Sequence, residues 1–233
     1  MSSGRPHPAQ VLLSNMASAI LAGDFARAAE NADLAFARGI RHPILFKARG
    51  LHFDSLGRYT DALANFEEAR RLDPRDIVVL DGIAISLARL GDFASALATL
   101  DASLAIDSAR SATHYLRGWV LESHGDDIKA ARAAYLRTLE LQPGHIGSMS
   151  GLAAIAVREH NWPEARANAE IILAGDPNHV TAHVAMASAE IEDRQFADAE
   201  RRLRKLLERA ANMPLHVRAV VNGLLADALD GQD

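Results

Sequence analysis

The chain contains no cysteine, which excludes disulfides and thiolate metal centres and leaves the redox compartment undetermined. Aromatic residues are sparse at 5%, although apolar residues reach 49%; much of that total is alanine, which favours close-packed helices over strands. No stretch approaches the roughly 18 consecutive apolar residues of a membrane span. An excess of basic residues is missing too: the net charge of −5 argues against a nucleic-acid partner, which normally shows a basic footprint. Runs of β-branched residues alternating with polar ones are also absent, so the fold is expected to be all-α. Near the N-terminus, Ala9 to Ala22 is fairly apolar. However, Arg5 is the only early basic residue, and Gln10, Ser14, Asn15 and Ser18 interrupt the stretch. It reads as a first structural helix rather than a secretory signal.

What the chain does have is a period. Ala28, Ala62, Ala96, Ala131, Ala165 and Ala199 follow one another at spacings of 34, 34, 35, 34 and 34. Phe25, Tyr59, Phe93, Ile128, Trp162 and Phe196 keep step, each three residues ahead of its alanine. A period of this length marks stacked units, none of which can bury its apolar face alone. The units fall at 9–42, 43–76, 77–110, 111–145, 146–179 and 180–213, with a terminal helix at 214–229, an extended or disordered segment at 1–8 and a tail at 230–233. Inside a unit, apolar residues such as Leu80, Ile83, Ala84 and Leu87 recur at helical intervals. A turn follows, at Gly23-Asp24, Gly57-Arg58 or Gly91-Asp92, where glycine can take the left-handed conformation that ends a helix. A second helix closes at Pro74, Pro143 or Pro177. The periodic alanine is expected where the two helices cross most closely, and the bulky residue ahead of it in the wedge between units. The fourth unit carries an extra residue at Gly125-Asp126-Asp127. The fifth replaces the turn glycine by His160-Asn161, where asparagine tolerates the left-handed conformation.

This pattern resembles the tetratricopeptide-repeat family. Its eight signature positions appear in the second unit as Phe46, Arg49, Gly50, Phe53, Ala62, Phe66, Ala69 and Pro74, with Arg49 where leucine is usual. The resemblance covers about 9–229 and implies an α-solenoid, a right-handed superhelix of six helix hairpins plus a C-terminal helix, whose concave wall is lined by the first helix of each unit. It also implies a protein or peptide partner. The stretch Leu224 to Asp230 is similar to repeat regions preceding a sulfotransferase domain in some bacterial proteins. That similarity implies an alternative role, positioning a protein substrate or mediating dimerisation beside an enzyme.

Chemistry is hard to find. His42, His145 and His179 each end a unit, so they cannot converge on one metal centre. Gly144, Gly147 and Gly151 lack the preceding strand and lysine of a phosphate loop and read as close-approach positions. The run Arg201, Arg202, Arg204, Lys205, Arg209 is offset by Asp198 and Glu200, each four residues before an arginine, which suggests a solvated helix face. No nucleophile, base and acid stand at a recognisable spacing. We expect a cytoplasmic, non-catalytic chain with no cofactor and no metal.

Under the resemblance, one concave row holds Ala17, Leu51, Ile85, Trp119, Ala154 and Ser188, flanked by Lys47, Asp54, Asp81, Arg89, Tyr115, Glu122 and Arg158. An apolar strip bordered by mixed charges suits an extended peptide or amphipathic helix, with Trp119 as the anchor; the alternative is that Trp119 fills inter-repeat space widened by the fourth unit's insertion. The two-carboxylate clamp of chaperone-binding repeats is not expected, because its places hold Lys47 and Leu51, then Gly82, then Ala112 and Leu116. In the terminal helix, Val217, Val220, Val221 and Leu224 take the places of a seventh first helix. Its apolar surface suggests a homodimer through 214–229, or a following second helix.

Overall fold

The computed structural model describes residues 8–124, 127–209 and 213–232. Thirteen helices make up these residues, with no strand among them. Seven are first helices: α1 (Pro8–Leu21), α3 (Pro43–Ser55), α5 (Ile77–Arg89), α7 (Ser111–His124), α9 (Ile146–Arg158), α11 (Val180–Glu192) and α13 (Leu215–Asp230). Six are second helices: α2 (Phe25–Ala37), α4 (Tyr59–Leu72), α6 (Phe93–Ile106), α8 (Ile128–Leu141), α10 (Trp162–Gly175) and α12 (Phe196–Arg209). The chain is an all-α solenoid of helical hairpins. It divides into two compact units, 1–124 and 125–233, and the division falls between the two helices of the fourth repeat. The extra residue of that repeat lies at this division, and Gly125 and Asp126 lie outside the described residues. So does the segment expected at 1–8, apart from Pro8, which opens α1.

Within each unit the core is a chain of small clusters rather than one centre. In the first, Leu12, Met16, Ala28, Ala32 and Leu45 form one cluster, Ala62, Phe66, Val79 and Ile83 the next, and Ala84, Ala96, Leu100 and Val120 a third. All six periodic alanines are fully buried, as expected of a close crossing. The bulky residues three places earlier are half-buried at the first turn of each second helix. Two of them reach the next repeat: the Phe93 ring stacks on His124, with centroids 4.9 Å apart, and Tyr59 lies under the Arg89 guanidinium.

Glycine appears in the first helices where a ring needs the room. A Cβ on Gly50 or on Gly82 would stand 2.6 Å from the Phe66 ring, so the ring is held between two bare backbones. Gly151 relates to Tyr135 in the same way, with a Cβ only 2.3 Å from the ring, which confirms it as a close-approach residue. Where the ring's place in the second helix holds Ala32 or Ala169 instead, the next first helix holds Ala48 or Ala185, and all four are buried. Volume is thus traded across the helix pair.

The turn glycines Gly23, Gly57 and Gly91 take φ of 71°, 70° and 89°. In the fifth and sixth repeats the same place is occupied by His160 (φ 55°) and Arg194 (φ 58°). The left-handed residue is therefore His160 and not Asn161. Asn161 is the N-cap of α10 and its side chain accepts the Glu164 N–H, a task that needs extended-type backbone.

The register of α13 differs from the sequence reading by one residue. Its first helical residue is Leu215, so Val217, Val221, Leu224 and Ala228 face the preceding hairpin, and Val220 is 53% exposed. Asn222 then takes the place that is Gly50, Ala84, Ala153 or Ala187 elsewhere, and it is exposed, while Arg218 takes the place of Phe46 or Leu80. Asn222 also lies between Leu215 and Leu229 on the helix surface, interrupting the apolar stripe expected of a dimer contact. At the end of α13, Gly231 packs on the Phe196 ring, and the Gln232 amide donates to Glu200 Oε2 at 2.8 Å.

Two substitutions test this packing. Gly82→Ala should lower unfolding free energy by about 1–3 kcal/mol through overpacking on Phe66, and Phe66→Leu in the same chain should recover part of the loss. Arg194→Gly should raise stability by about 0.5–1 kcal/mol in urea unfolding, since relief of the left-handed backbone exceeds the entropy glycine adds to the unfolded chain.

Candidate functional site

Which helices form the inner wall follows from their contacts. In the first unit, α1 touches α3, α3 touches α5 and α5 touches α7, whereas α2, α4 and α6 do not touch one another. Two layers joined this way curve toward the layer whose members are in contact, so the first helices line the concave side. In the second unit α9, α11 and α13 form the same continuous layer.

Of the row expected on the inner wall, Ala17, Leu51, Ile85 and Trp119 are all half-buried, one from each first helix of the first unit. Leu51 packs on the Phe66 cluster and Trp119 on the cluster of Ala84, Ala88 and Ala96. Arg89, itself exposed at the end of α5, lies over the Trp119 ring at 4.8 Å and over the Tyr59 ring at 5.8 Å. This cation–π stacking orders a side chain that would otherwise be free to rotate. Tyr59 was not anticipated on this face, because the sequence shows it only as a wedge residue of the repeat. Arg158 and Ala154 belong to the second unit; Arg158 is exposed at the end of α9, and Ser188 is buried, donating to the Val184 carbonyl.

The flanking charges separate into two kinds. Asp81 is buried and is not available to a partner. It accepts from Ser103 Oγ at 3.0 Å, Thr113 Oγ1 at 2.9 Å and Arg110 Nε at 3.0 Å, joining α5, α6 and α7. Lys47 donates to Asp76 Oδ2 at 2.6 Å, and the same Asp76 caps α5 by accepting the Val78 and Val79 N–H groups. These two pairs occupy the same slot in successive repeats with the signs reversed. The sequence carried the signal, since Asp76 and Arg110 both end a unit and both follow their partner by 29 residues.

Asp54, Tyr115 and Glu122 stay half-buried on the wall beside Arg89. Burial raises the Asp54 carboxyl above the ordinary aspartate range, opposed by the field of Arg89. The Tyr115 phenol is likewise raised, first by burial and then by Glu122, with Arg89 opposing.

The histidines at the ends of units prove to be helix caps. Nδ1 of His42, His145 and His179 accepts a backbone N–H from the first turn of α3, α9 and α11, at 3.3, 3.1 and 3.4 Å. His114 and His183, half-buried, each place Nε2 near a loop carbonyl six residues earlier, Ser108 and Pro177. Among the described residues no three histidines, aspartates or glutamates come together as a metal site, and no helix is long and apolar enough to cross a membrane. In the charge run, Glu200 pairs with Arg204 as expected, but Asp198 pairs with Arg201 at 2.9 Å. Arg202 turns inward to the buried Glu190, with Nε 2.9 Å from Oε2.

A wall of first helices backed by separate second helices, with small residues at every crossing, defines a helical-repeat scaffold. Two tetratricopeptide-repeat profiles match, one over residues 18–77 and one over 55–120. Residues 18–120 therefore carry tetratricopeptide repeats. It is similar in structure to PilW, described as a widely conserved type IV pilus biogenesis factor, at 14% identity over 93% of this chain and 100% of that one, with a TM-score of 0.75. Yeast Tom70 is similar at 18% identity over 88% of this chain and 43% of that one, TM-score 0.68. A thermophilic TPR protein of Thermus thermophilus, TTC0263, is similar at 19% identity over 76% and 95%, TM-score 0.61. At such identities the likeness is one of fold. Among curated proteins, none matches the sequence.

Because Asp81 serves the stacking of α5 on α7, Asp81→Ala should destabilise the chain by about 3 kcal/mol, the scale for breaking a buried charge pair. Thermal or urea unfolding measures it. A loss under about 0.5 kcal/mol, the range of an ordinary surface substitution, would show that Asp81 is a free wall residue after all.

Proposed function

We propose that this chain is a non-catalytic interaction module whose first unit takes a segment of a partner protein along its inner wall. The observation that supports this reading is the continuous row Ala17, Leu51, Ile85 and Trp119, half-buried, with only neighbouring helices of the unit packed on it. Trp119 is the anchor, because its ring is large, amphipathic and ordered by Arg89. With Lys47 tied to Asp76 and Asp81 buried, the surface that remains for contact is Leu51, Asp54, Ile85, Arg89, Tyr115, Trp119 and Glu122. The engagement of Lys47 also removes the one lysine that a carboxylate clamp would use here.

Peptides selected on the full chain from a phage-displayed random library supply the probe. Trp119→Ala should weaken their binding about 30-fold, whereas Arg117→Ala, on the same helix but paired with Asp101, should leave it unchanged. The same substitution should destabilise the fold by less than the about 3–5 kcal/mol of an enclosed tryptophan, since the ring is only half-buried. A library that yields no peptide sensitive to Trp119 would remove the wall as the binding surface.

A further inference from the structure

Three places that are apolar or small in other repeats become charged or polar together in the sixth. His183 stands where Phe46, Leu80 and Met149 stand, and Glu190 where Phe53, Leu87, Leu121 and Ala156 stand. Arg202 takes the place of Asn31, Asn65, Thr99, Ala134 and Asn168. The fourth repeat shares the histidine, as His114, but has Leu121 and Ala134 at the other two places. In the sixth repeat the three side chains meet. Arg202 Nε donates to Glu190 Oε2 at 2.9 Å, and Nη1 lies 3.4 Å from His183 Nδ1. His183 Nε2 is 2.9 Å from the Pro177 carbonyl, which can only accept. Nε2 therefore carries the proton, and Nδ1 accepts from Arg202. Apolar residues of similar volume generally stabilise such a contact at least as well as a buried ion pair. Departures from a repeat's own pattern that stability does not require mark functional positions.

The three side chains line a cleft of about 760 Å³ on the α11–α12 hairpin, a size that suits a small organic molecule. Val180 and Leu206 give it apolar surface. Its two carboxylates are answered inside it, Asp198 by Arg201 and Glu190 by Arg202. Lys205, exposed and one turn beyond Arg202, also lines the cleft and forms no ion pair among the described residues. Arg202 has donors to spare as well. Nε and Nη2 each give one N–H to Glu190 and Nη1 gives one to His183, which leaves one on each Nη. Glu190 does not oppose an anion, since its side chain is 7% exposed and held by Arg202. We propose that this cleft binds a small organic anion, a carboxylate or a phosphate ester. Its oxygens accept from Arg202 and Lys205, and its apolar body rests on Val180 and Leu206. The site belongs to the second unit and is independent of the first unit's wall.

Calorimetric titration of the full chain at low ionic strength tests this, with benzoate and phenyl phosphate as probes and benzyl alcohol as their uncharged counterpart. At least one anion should bind, and benzyl alcohol about tenfold or more weakly. Lys205→Gln should weaken the anion about tenfold. Arg204→Gln removes the same charge from the same helix outside the cleft, and should change affinity by less than about twofold. Giving the three places the residues of other repeats, with His183→Leu, Glu190→Leu and Arg202→Asn together, should abolish binding. If that triple variant does not fold, the comparison of Lys205→Gln with Arg204→Gln still decides. Binding of neither anion below about 10 mM, or equal losses in the two single variants, would overturn the proposal. So would a folded triple variant that keeps the wild-type affinity.

Discussion

Everything in this fold depends on two helices approaching closely at one alanine per repeat. A second helix that crosses at a methyl group can lie deep against its partner, and the bulky residue a turn earlier is then set at the edge, where the next repeat begins. All six crossing alanines are without exposure, while no bulky leader is fully buried. The leader is therefore free to make contacts beyond its own hairpin, as Phe93 does with His124 and Tyr59 with Arg89. Through Tyr59 the crossing geometry reaches the inner wall, since the ring supports the guanidinium that orders Trp119.

The repeat itself was legible because its signal is a period in residue size, and size is what the crossing selects. Backbone conformation was less so. Glycine marks the left-handed turn residue in the first three repeats, but His160 and Arg194 hold the same dihedral in the fifth and sixth. There the helices on either side over-determine the turn, so composition at the site stops reporting its conformation. Asn161, the better left-handed residue on intrinsic grounds, is engaged in capping α10. The α13 register was missed for a related reason: Val220 and Val221 are interchangeable to a hydrophobic pattern, and only their burial separates the two frames, Val221 being enclosed and Val220 53% exposed.

Repeat spacing speaks to the apolar part of the candidate surface more directly than to its charged part. Repeat spacing gives Leu51, Ile85 and Trp119 equivalent places on successive first helices, and the structure leaves all three half-buried. Charges follow a different logic, because a long side chain reaches whichever partner lies within its radius. Lys47 and Asp81 stand on the wall by spacing and leave it by pairing. In the second unit Arg132 and Arg166 do the same kind of work, lashing second helices to Glu159 and Asp193 at the ends of the following first helices. A charge on a repeat surface is a candidate for binding only after such pairings have been assigned.

The reversal of sign between Lys47–Asp76 and Asp81–Arg110 answers a difficulty particular to repeats. Hairpins of similar shape offer similar docking faces, so a first helix could settle against the wrong neighbour at little loss of apolar contact. Were α3 to dock where α5 docks, Lys47 would meet Arg110 in a partly buried slot, and like charges so placed repel strongly. With one sign in both slots, the misplaced pair would be as favourable as the native one. Alternation makes the native order the only arrangement in which both slots are neutral, and it does so with residues whose contribution to stability could have been supplied by an apolar pair. Those charges are thus explained by the order of the repeats.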